Sequence, residues 1–151
     1  MSELIIKKLD ADAAVRIAEL EKLCFSVPWS EDSVRYALED ALHLWLGCYE
    51  DGEIIGYAGV QIVLDEGFID NVAVHPAARN RGIAKSLIEE LCKESVLRGA
   101  AALMLEVRPS NAPAIKVYES AGFERVGFRP VYYDNPKEGA ILMTKFLRAG
   151  E

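Results

Sequence analysis

Apolar and polar positions along this chain repeat with two different periods, and the switches between them mark out the elements. "ELIIKK" reads as a short first strand. Asp10 is placed to cap a helix whose apolar positions Ala13, Ile17, Leu20 and Cys24 follow helical spacing. "FSVPWS" breaks that period. Ser30 predicts a second cap, with Glu31 and Asp32 in the first turn and Trp29 placed to staple onto Val34. "LHLWLGCYE", then Asp51-Gly52, then "EIIGYAGVQIVL" reads as a hairpin with a two-residue turn. "DEG" leads into a further strand over 68–74, which Pro76 ends. Over 82–98 the apolar positions Ala84, Leu87, Ile88 and Leu91 form one stripe, Glu89 and Lys93 make a supporting pair, and Gly99 stops the helix. "AALMLEV" is apolar on both faces, which predicts a central strand. Asn111 is a plausible cap for the helix after it, with Pro113 in its tolerant first turn and Gly122 at its end. "ERVGFRPVYY" and "GAILMTKF" close the chain as a last hairpin. The order β-α-α-β-β-β-α-β-α-β-β predicts an α/β protein with a mixed sheet and helices on its faces.

Length and composition narrow the possibilities. The 151 residues, about half of them hydrophobic, suit a single domain over 1–151 with one real core. No apolar run approaches the roughly 18 residues of a membrane span, and the N-terminus lacks a signal-peptide pattern. Cys24, Cys48 and Cys92 are far apart and form no CxxC pair, so they read as reduced thiols in a cytoplasmic protein. Only His43 and His75 are available to join them as ligands, at no known metal spacing, so no metal is expected. The net charge of -7 and the pI near 4.9 argue against nucleic-acid binding and leave room for a basic peptide partner.

One stretch runs against that charge. "NVAVHPAARNRGIAKSLI", residues 71–88, contains no Asp or Glu, and it carries Arg79, Arg81 and Lys85 where a helix is expected to begin. A helix N-terminus favours acids in its first turn. Strand, glycine-containing turn and helix N-terminus together make an anion site, in which free backbone N–H groups and the dipole point at the ligand. Gly82 removes a Cβ that would keep a phosphate away, and Asn80 tolerates a left-handed turn. The three cations are then expected to neutralise phosphates directly. The plainer alternative is a capped surface helix with chance basic residues. There is no GxxxxGK[ST], and no GxGxxG follows the first strand, which disfavours P-loop and dinucleotide sites.

Arg79-Asn80-Arg81-Gly82-Ile83-Ala84 fits the pattern Q/R-x-x-G-x-G/A, and the stretch around it resembles the acetyl-CoA signature of the GNAT superfamily of N-acetyltransferases. The element order also matches that fold. The resemblance implies that the amides from Arg79 to Ala84 hold the pyrophosphate of acetyl-CoA. It implies too that the edge Val72-Ala73-Val74 pairs with the pantetheine arm, which is sensible for a strand edge with unpaired groups. Downstream, "LEVRPSNAPAIKVYESAGF" resembles the LEVR-x-SN-x-x-AI-x-x-Y-x-x-x-GF motif of the bacterial ribosomal-protein alanine N-acetyltransferases and meets it at every fixed position. "FSVPWSE" resembles the same group.

Acetyl transfer needs a neutral amine, a polarised thioester and a proton for the leaving thiolate. Glu106 ends an apolar strand and is a candidate general base, though a strand-end carboxylate paired with Arg108 is the plainer reading; the resemblance favours the base. Tyr118, twelve residues on, is either core packing or the acid that protonates the thiolate. The two are compatible, since the ring can pack while the hydroxyl faces a cleft. The resemblance places Asn111 as a contact to acetyl-CoA as well as a cap. By resemblance, "SVPWS" with Trp29 and the last hairpin with Tyr132 and Tyr133 wall the acceptor channel; as residues alone, Trp29 is a helix staple and the tyrosines are strand aromatics. The group usually continues with a short turn and Gly-Glu-Asp-Ala, where this chain has Asp134-Asn135-Pro136-Lys137-Glu138-Gly139-Ala140, a departure that bears on acceptor specificity. The acceptor implied is the N-terminal alanine of the eighteenth small-subunit ribosomal protein. A broader N-terminal, lysine or small-amine acetyltransferase and a non-catalytic acetyl-CoA-binding module are the alternatives.

Overall fold

The computed structural model describes residues 3–134 and 136–147; of the departing hairpin turn, Asn135 lies outside them. The elements are β1 (Leu4–Lys8), α1 (Ala14–Cys24), α2 (Glu31–Glu39), β2 (His43–Glu50), β3 (Glu53–Val63), β4 (Glu66–Val74), α3 (Ile83–Leu97), β5 (Ala102–Val107), α4 (Ala112–Ser120), β6 (Glu124–Tyr133) and β7 (Glu138–Phe146). This is the order expected from the pattern, with short 3₁₀ turns added at Ala11–Ala13 and Pro76–Ala78. The caps explain most boundaries. Ser30 Oγ accepts the Ser33 N–H at 3.1 Å and starts α2. Asp10 accepts from the Asp12 N–H at 2.9 Å, so it caps the 3₁₀ turn leading into α1 rather than α1 itself. Asn111 Oδ1 accepts the Ala114 N–H at 3.3 Å and starts α4. Asp51 and Gly52 both have positive φ, the paired left-handed conformation that joins two strands with matching twist.

The strands form one mixed sheet in the order β1-β2-β3-β4-β5-β7-β6. β1 to β4 are antiparallel neighbours, β5 runs antiparallel to β7, and the two groups meet where β4 and β5 lie parallel. One face packs on α3 and α4 through Leu44, Val60, Leu87, Leu91, Leu103 and Leu105. The other packs on α1 and α2 through Ile17, Leu20, Val34, Trp45 and Tyr57. The Trp45 indole lies on β3 because position 59 is glycine: a Cβ there would sit 2.4 Å from the ring. Trp45 stacks on Tyr57 at 5.5 Å, and Trp29 tilts against Trp45 at 5.4 Å in the same cluster as Val34, its expected staple partner.

Two features of the sheet open a gap between β4 and β5. The parallel ladder joining them is three pairs long, Glu66↔Ala102 to Phe68↔Met104. Just beyond it β4 carries a bulge: Gly59 pairs with Asn71 and Val60 with Ile69, so Asp70 is the extra residue. Bulges bend a strand and raise its twist, and here the bend coincides with the point at which β4 leaves β5. β5 is therefore interior to the sheet without being covered on both faces. Leu103, Leu105 and Val107 are buried, whereas Met104 and Glu106 on the opposite face are half-buried. No helix among the described residues is long and apolar enough to cross a membrane.

Candidate active site

Past Phe68, the β5 side of β4 is a strand edge with no ladder partner among the described residues. The His75 N–H donates to the Ile55 carbonyl at 2.8 Å. Strand alternation then turns the backbone groups of Ala73 toward β3 and those of Val72 and Val74 toward the open edge. Of the three residues expected along this edge, two face it. The Val74 carbonyl already accepts Arg79 Nε at 3.3 Å and the Cys24 thiol at 3.5 Å.

The turn after this strand prepares a helix end without capping it. Asn80 and Gly82 have φ of 65° and 75°. Gly82 precedes α3 in the left-handed conformation and supplies no side-chain cap. A Cβ at Gly82 would meet no atom of the chain within 4 Å, so the backbone conformation, not crowding, calls for glycine. The first bond of α3 runs from the Ser86 N–H to the Gly82 carbonyl at 3.1 Å. The amides of Ile83, Ala84 and Lys85 are thus left without intrahelical acceptors. The cations are placed differently from the sequence expectation. Arg81 makes a two-pronged pair with Glu50 at 3.1 and 2.6 Å, which lowers the Glu50 pKa. Arg79 folds back to Val74 and lies 3.6 Å from Cys24 Sγ. Both guanidinium groups fasten the loop to the sheet. Lys85 is exposed on the first turn of α3. The backbone amides, more than the arginines, offer themselves to an anion.

On the α1 side of the edge sits a carboxylate that the sequence pattern did not single out. Glu21 is fully buried. Its Oε1 accepts the Trp29 N–H at 2.8 Å, and its Oε2 accepts Asn71 Nδ2 at 2.8 Å and the Tyr57 hydroxyl. A usable signal existed: position 21 falls on the buried stripe of α1, four residues after Ile17. Three donors favour the ionised form, and burial opposes it more strongly, pushing the carboxyl up from 4.5 to about 7. Between those values the folded state holds a proton that the unfolded chain has released. Stability therefore falls as pH rises through that window and levels off above it. At ~1.4 kcal/mol per unit the loss reaches ~3 kcal/mol. Denaturant melts of wild type and Glu21→Gln near pH 4 and pH 8 measure it. The stability difference between the two is expected to move against the wild type by about that amount at the higher pH. An equal difference at both pH values would mean that Glu21 titrates as it does in the unfolded chain.

Across the cleft, Glu106 points to the uncovered face of β5. Its Oε1 lies 3.8 Å from the exposed Arg129 guanidinium, and its Oε2 is buried with no hydrogen-bond partner among the described residues. Arg108, the partner that the plainer sequence reading gave it, is engaged elsewhere. Arg108 donates to the carbonyls of Asp134 and Pro136 at 2.7 and 2.8 Å, pairs with Glu138 at 3.2 Å and covers the Tyr133 ring at 4.5 Å. Ser110 Oγ donates to Glu138 at 2.6 Å. Arg108 and Ser110 thus clamp the β6–β7 turn to the end of β5, a role that motif matching does not reveal.

The same hairpin brings up the tyrosines. Arg129 pairs with Ala140 and Tyr133 with Glu138, so β6 spends four steps where β7 spends two. Val131 in that excess has φ 53°, a strained value for a β-branched residue. Tyr132 and Tyr133 meet edge to face at 4.9 Å. The Tyr132 hydroxyl is held above its ordinary pKa first by its interaction with Glu106, and Tyr133 is pushed up to about 12 by burial and then by Glu106. Tyr118 is buried, packs edge-on to Phe123 at 5.8 Å and has its pKa raised by burial and then by Tyr133. Tyr132, Tyr133 and Glu106 thus form one electrostatic group, with Tyr118 adjoining it through Tyr133. Among the described residues Trp29, on the α1–α2 loop, is tied not to that group but to Asn71 of β4, through Glu21.

Comparison with known proteins agrees with this geometry. Residues 14–123 match the acetyltransferase (GNAT) family. The [ribosomal protein bS18]-alanine N-acetyltransferase of Haemophilus ducreyi is 38% identical over 135 residues, which covers 87% of this chain and 92% of that protein. The crystal structure of the ribosomal-protein-S18-alanine N-acetyltransferase from Escherichia coli superposes with a TM-score of 0.89 at 34% identity, covering 99% of this chain and 97% of that one. Arabidopsis thaliana NAA60 in complex with acetyl-CoA, 20% identical, shares the fold with a TM-score of 0.86 over 95% of this chain and 98% of its own. A sheet that splays beside an uncapped helix, in a chain matched over most of its length, has a plain reading: this chain belongs to the acetyltransferase (GNAT) family.

Proposed function

We propose that this acetyltransferase acetylates the N-terminal α-amine of a protein, with an alanine-first protein of the small ribosomal subunit as its acceptor. The observation that carries the chemistry is the buried, unpartnered Oε2 of Glu106 on the wall of the splay between β4 and β5. The acceptor rests on similarity to the Haemophilus ducreyi and Escherichia coli enzymes over nearly their whole lengths.

The residues present suit acetyl-CoA, which supplies a thioester-activated acetyl group. The edge groups of Val72 and Val74 offer strand-like partners to an amide-bearing arm, with the Val74 carbonyl shared with Arg79 and Cys24. The free amides of Ile83, Ala84 and Lys85 face an anionic end. Asn111, which caps α4, is a further contact to acetyl-CoA in this reading. Glu106 accepts the proton that the amine sheds as its lone pair bonds to the acetyl carbon, directly or through a water. Tyr118 donates its hydroxyl proton to the sulfur as the carbon–sulfur bond breaks, and solvent returns that proton afterwards. Burial makes a tyrosinate at position 118 costly, so the donation belongs to the bond-breaking step itself. Trp29, Tyr132 and Tyr133 flank the acceptor. An α-amine with pKa ~8 is about one-tenth neutral at pH 7, whereas a lysine near ~10.4 costs about 3 kcal/mol more to deprotonate. A single carboxylate base suits the former.

The test is thiol release from acetyl-CoA with three acceptors in parallel: an alanine-first ribosomal peptide, the same peptide blocked at its N-terminus, and a mixture of small amines. Release with the free peptide alone is the expected result. Equal release with the blocked peptide would move the chemistry to side chains, and release with small amines alone would overturn the protein acceptor.

A further inference from the structure

Glu21 takes no part in the proton transfers of acetylation, yet it sits where three segments meet. It binds Trp29 eight residues away, Tyr57 thirty-six away and Asn71 fifty away. Trp29 belongs to the loop on the acceptor side. Asn71 follows the bulged Asp70 of β4, the strand whose open edge faces the donor. A second route joins the same two places: the Trp29 ring rests on Trp45, and Trp45 Nε1 donates to Asp70 at 2.9 Å. Loop and bulge are thus tied twice, once through a carboxylate and once through an indole. A buried carboxylate is a poor choice for stability alone, because an apolar side chain of similar volume fills such a space without desolvating a charge. What the carboxylate supplies is direction, since its two oxygens fix the loop backbone and the strand side chain relative to each other.

We propose that Glu21 is a positioning residue for the acceptor, setting the loop that carries Trp29 against the strand along which the donor lies. The inference rests on the proposed protein acceptor. Two variants probe it. Glu21→Gln presents an NH₂ group where two donors converge and loses part of the link. Asn71→Ala cuts the link from the β4 side and leaves the carboxylate in place. Each is expected to raise the KM for the alanine-first peptide about tenfold while the KM for acetyl-CoA stays within about twofold. The double variant is expected to match the single ones instead of multiplying them, because both cut one link.

A second readout does not depend on the acceptor. The chain has two tryptophans, Trp29 and Trp45. Trp45 is buried and Trp29 half-buried, so acrylamide quenching of the emission reports on Trp29. Both variants are expected to quench about twofold more readily than wild type at temperatures well below their melting points. Unchanged quenching overturns the proposal, as does an equal rise in both KM values. If the wild type turns over no alanine-first peptide, the acceptor assignment fails, and quenching alone then decides the role of Glu21.

Discussion

Replacing Glu106 with glutamine is expected to lower turnover about 10²- to 10³-fold near pH 7, with acetyl-CoA affinity nearly kept. Glutamine preserves the shape of the side chain and can still face Arg129, so the packing of β5 is undisturbed. It cannot accept a proton from the amine. The groups that suit the donor, the edge of β4 and the first amides of α3, lie on other elements. The defect should be largest at low pH, where the amine arrives protonated, and should shrink as pH approaches the amine's own pKa of ~8. Turnover measured from about pH 6 to 9 in both proteins tests this. A constant ratio would turn the effect into a loss of charge near the substrate, and equal rates would remove Glu106 from the base role.

Changing Tyr118 to phenylalanine is expected to cost about 10²-fold in kcat and almost nothing in stability. The ring keeps its edge-on contact with Phe123, and the hydroxyl that is lost has no hydrogen-bond partner among the described residues. Burial holds this phenol above its ordinary pKa, so it keeps its proton through the neutral and moderately alkaline range. The sign is then fixed: raising pH from about 7 to 9.5 should not switch off the wild type through Tyr118, and the variant should trace a parallel, lower profile. A wild-type rate in the phenylalanine variant would leave Tyr118 with a packing role only. A fall in melting temperature of more than a few degrees would mean that the hydroxyl has a structural partner.

Much of this architecture was legible in local chemistry. Ser30 and Asn111 cap where their side chains allow, Asp51-Gly52 turns, and Gly99 and Gly122 stop their helices at positive φ. Each signal sits within a few residues of what it causes. The parts that escaped depend on distant partners. Glu50 lies 31 residues from Arg81 and Cys24 55 residues from Arg79, so the local pattern that offered both arginines to a phosphate could not show the partners they hold within the fold. Arg108 stands two residues from Glu106 but is bonded to a different carboxylate, Glu138, 30 residues on. The splay of β4 from β5 has no local signature, because it depends on a bulge defined only by the register with β3.

The bare N-terminus of α3 has a consequence for any attempt to improve this protein. Its first turn holds no acid, and no side chain caps its amides. An acid in place of Lys85 would complement the helix dipole and raise the stability of the free protein by about 0.3–1 kcal/mol. The same charge would repel the polyanion that those amides suit. Directed evolution that rewards heat resistance alone would therefore drift toward a tougher molecule with a poorer grip on its donor. With the donor bound as proposed above, the absence of Asp and Glu from residues 71–88 fits the opposite compromise, in which a helix end is left unfinished by the chain and completed by its ligand.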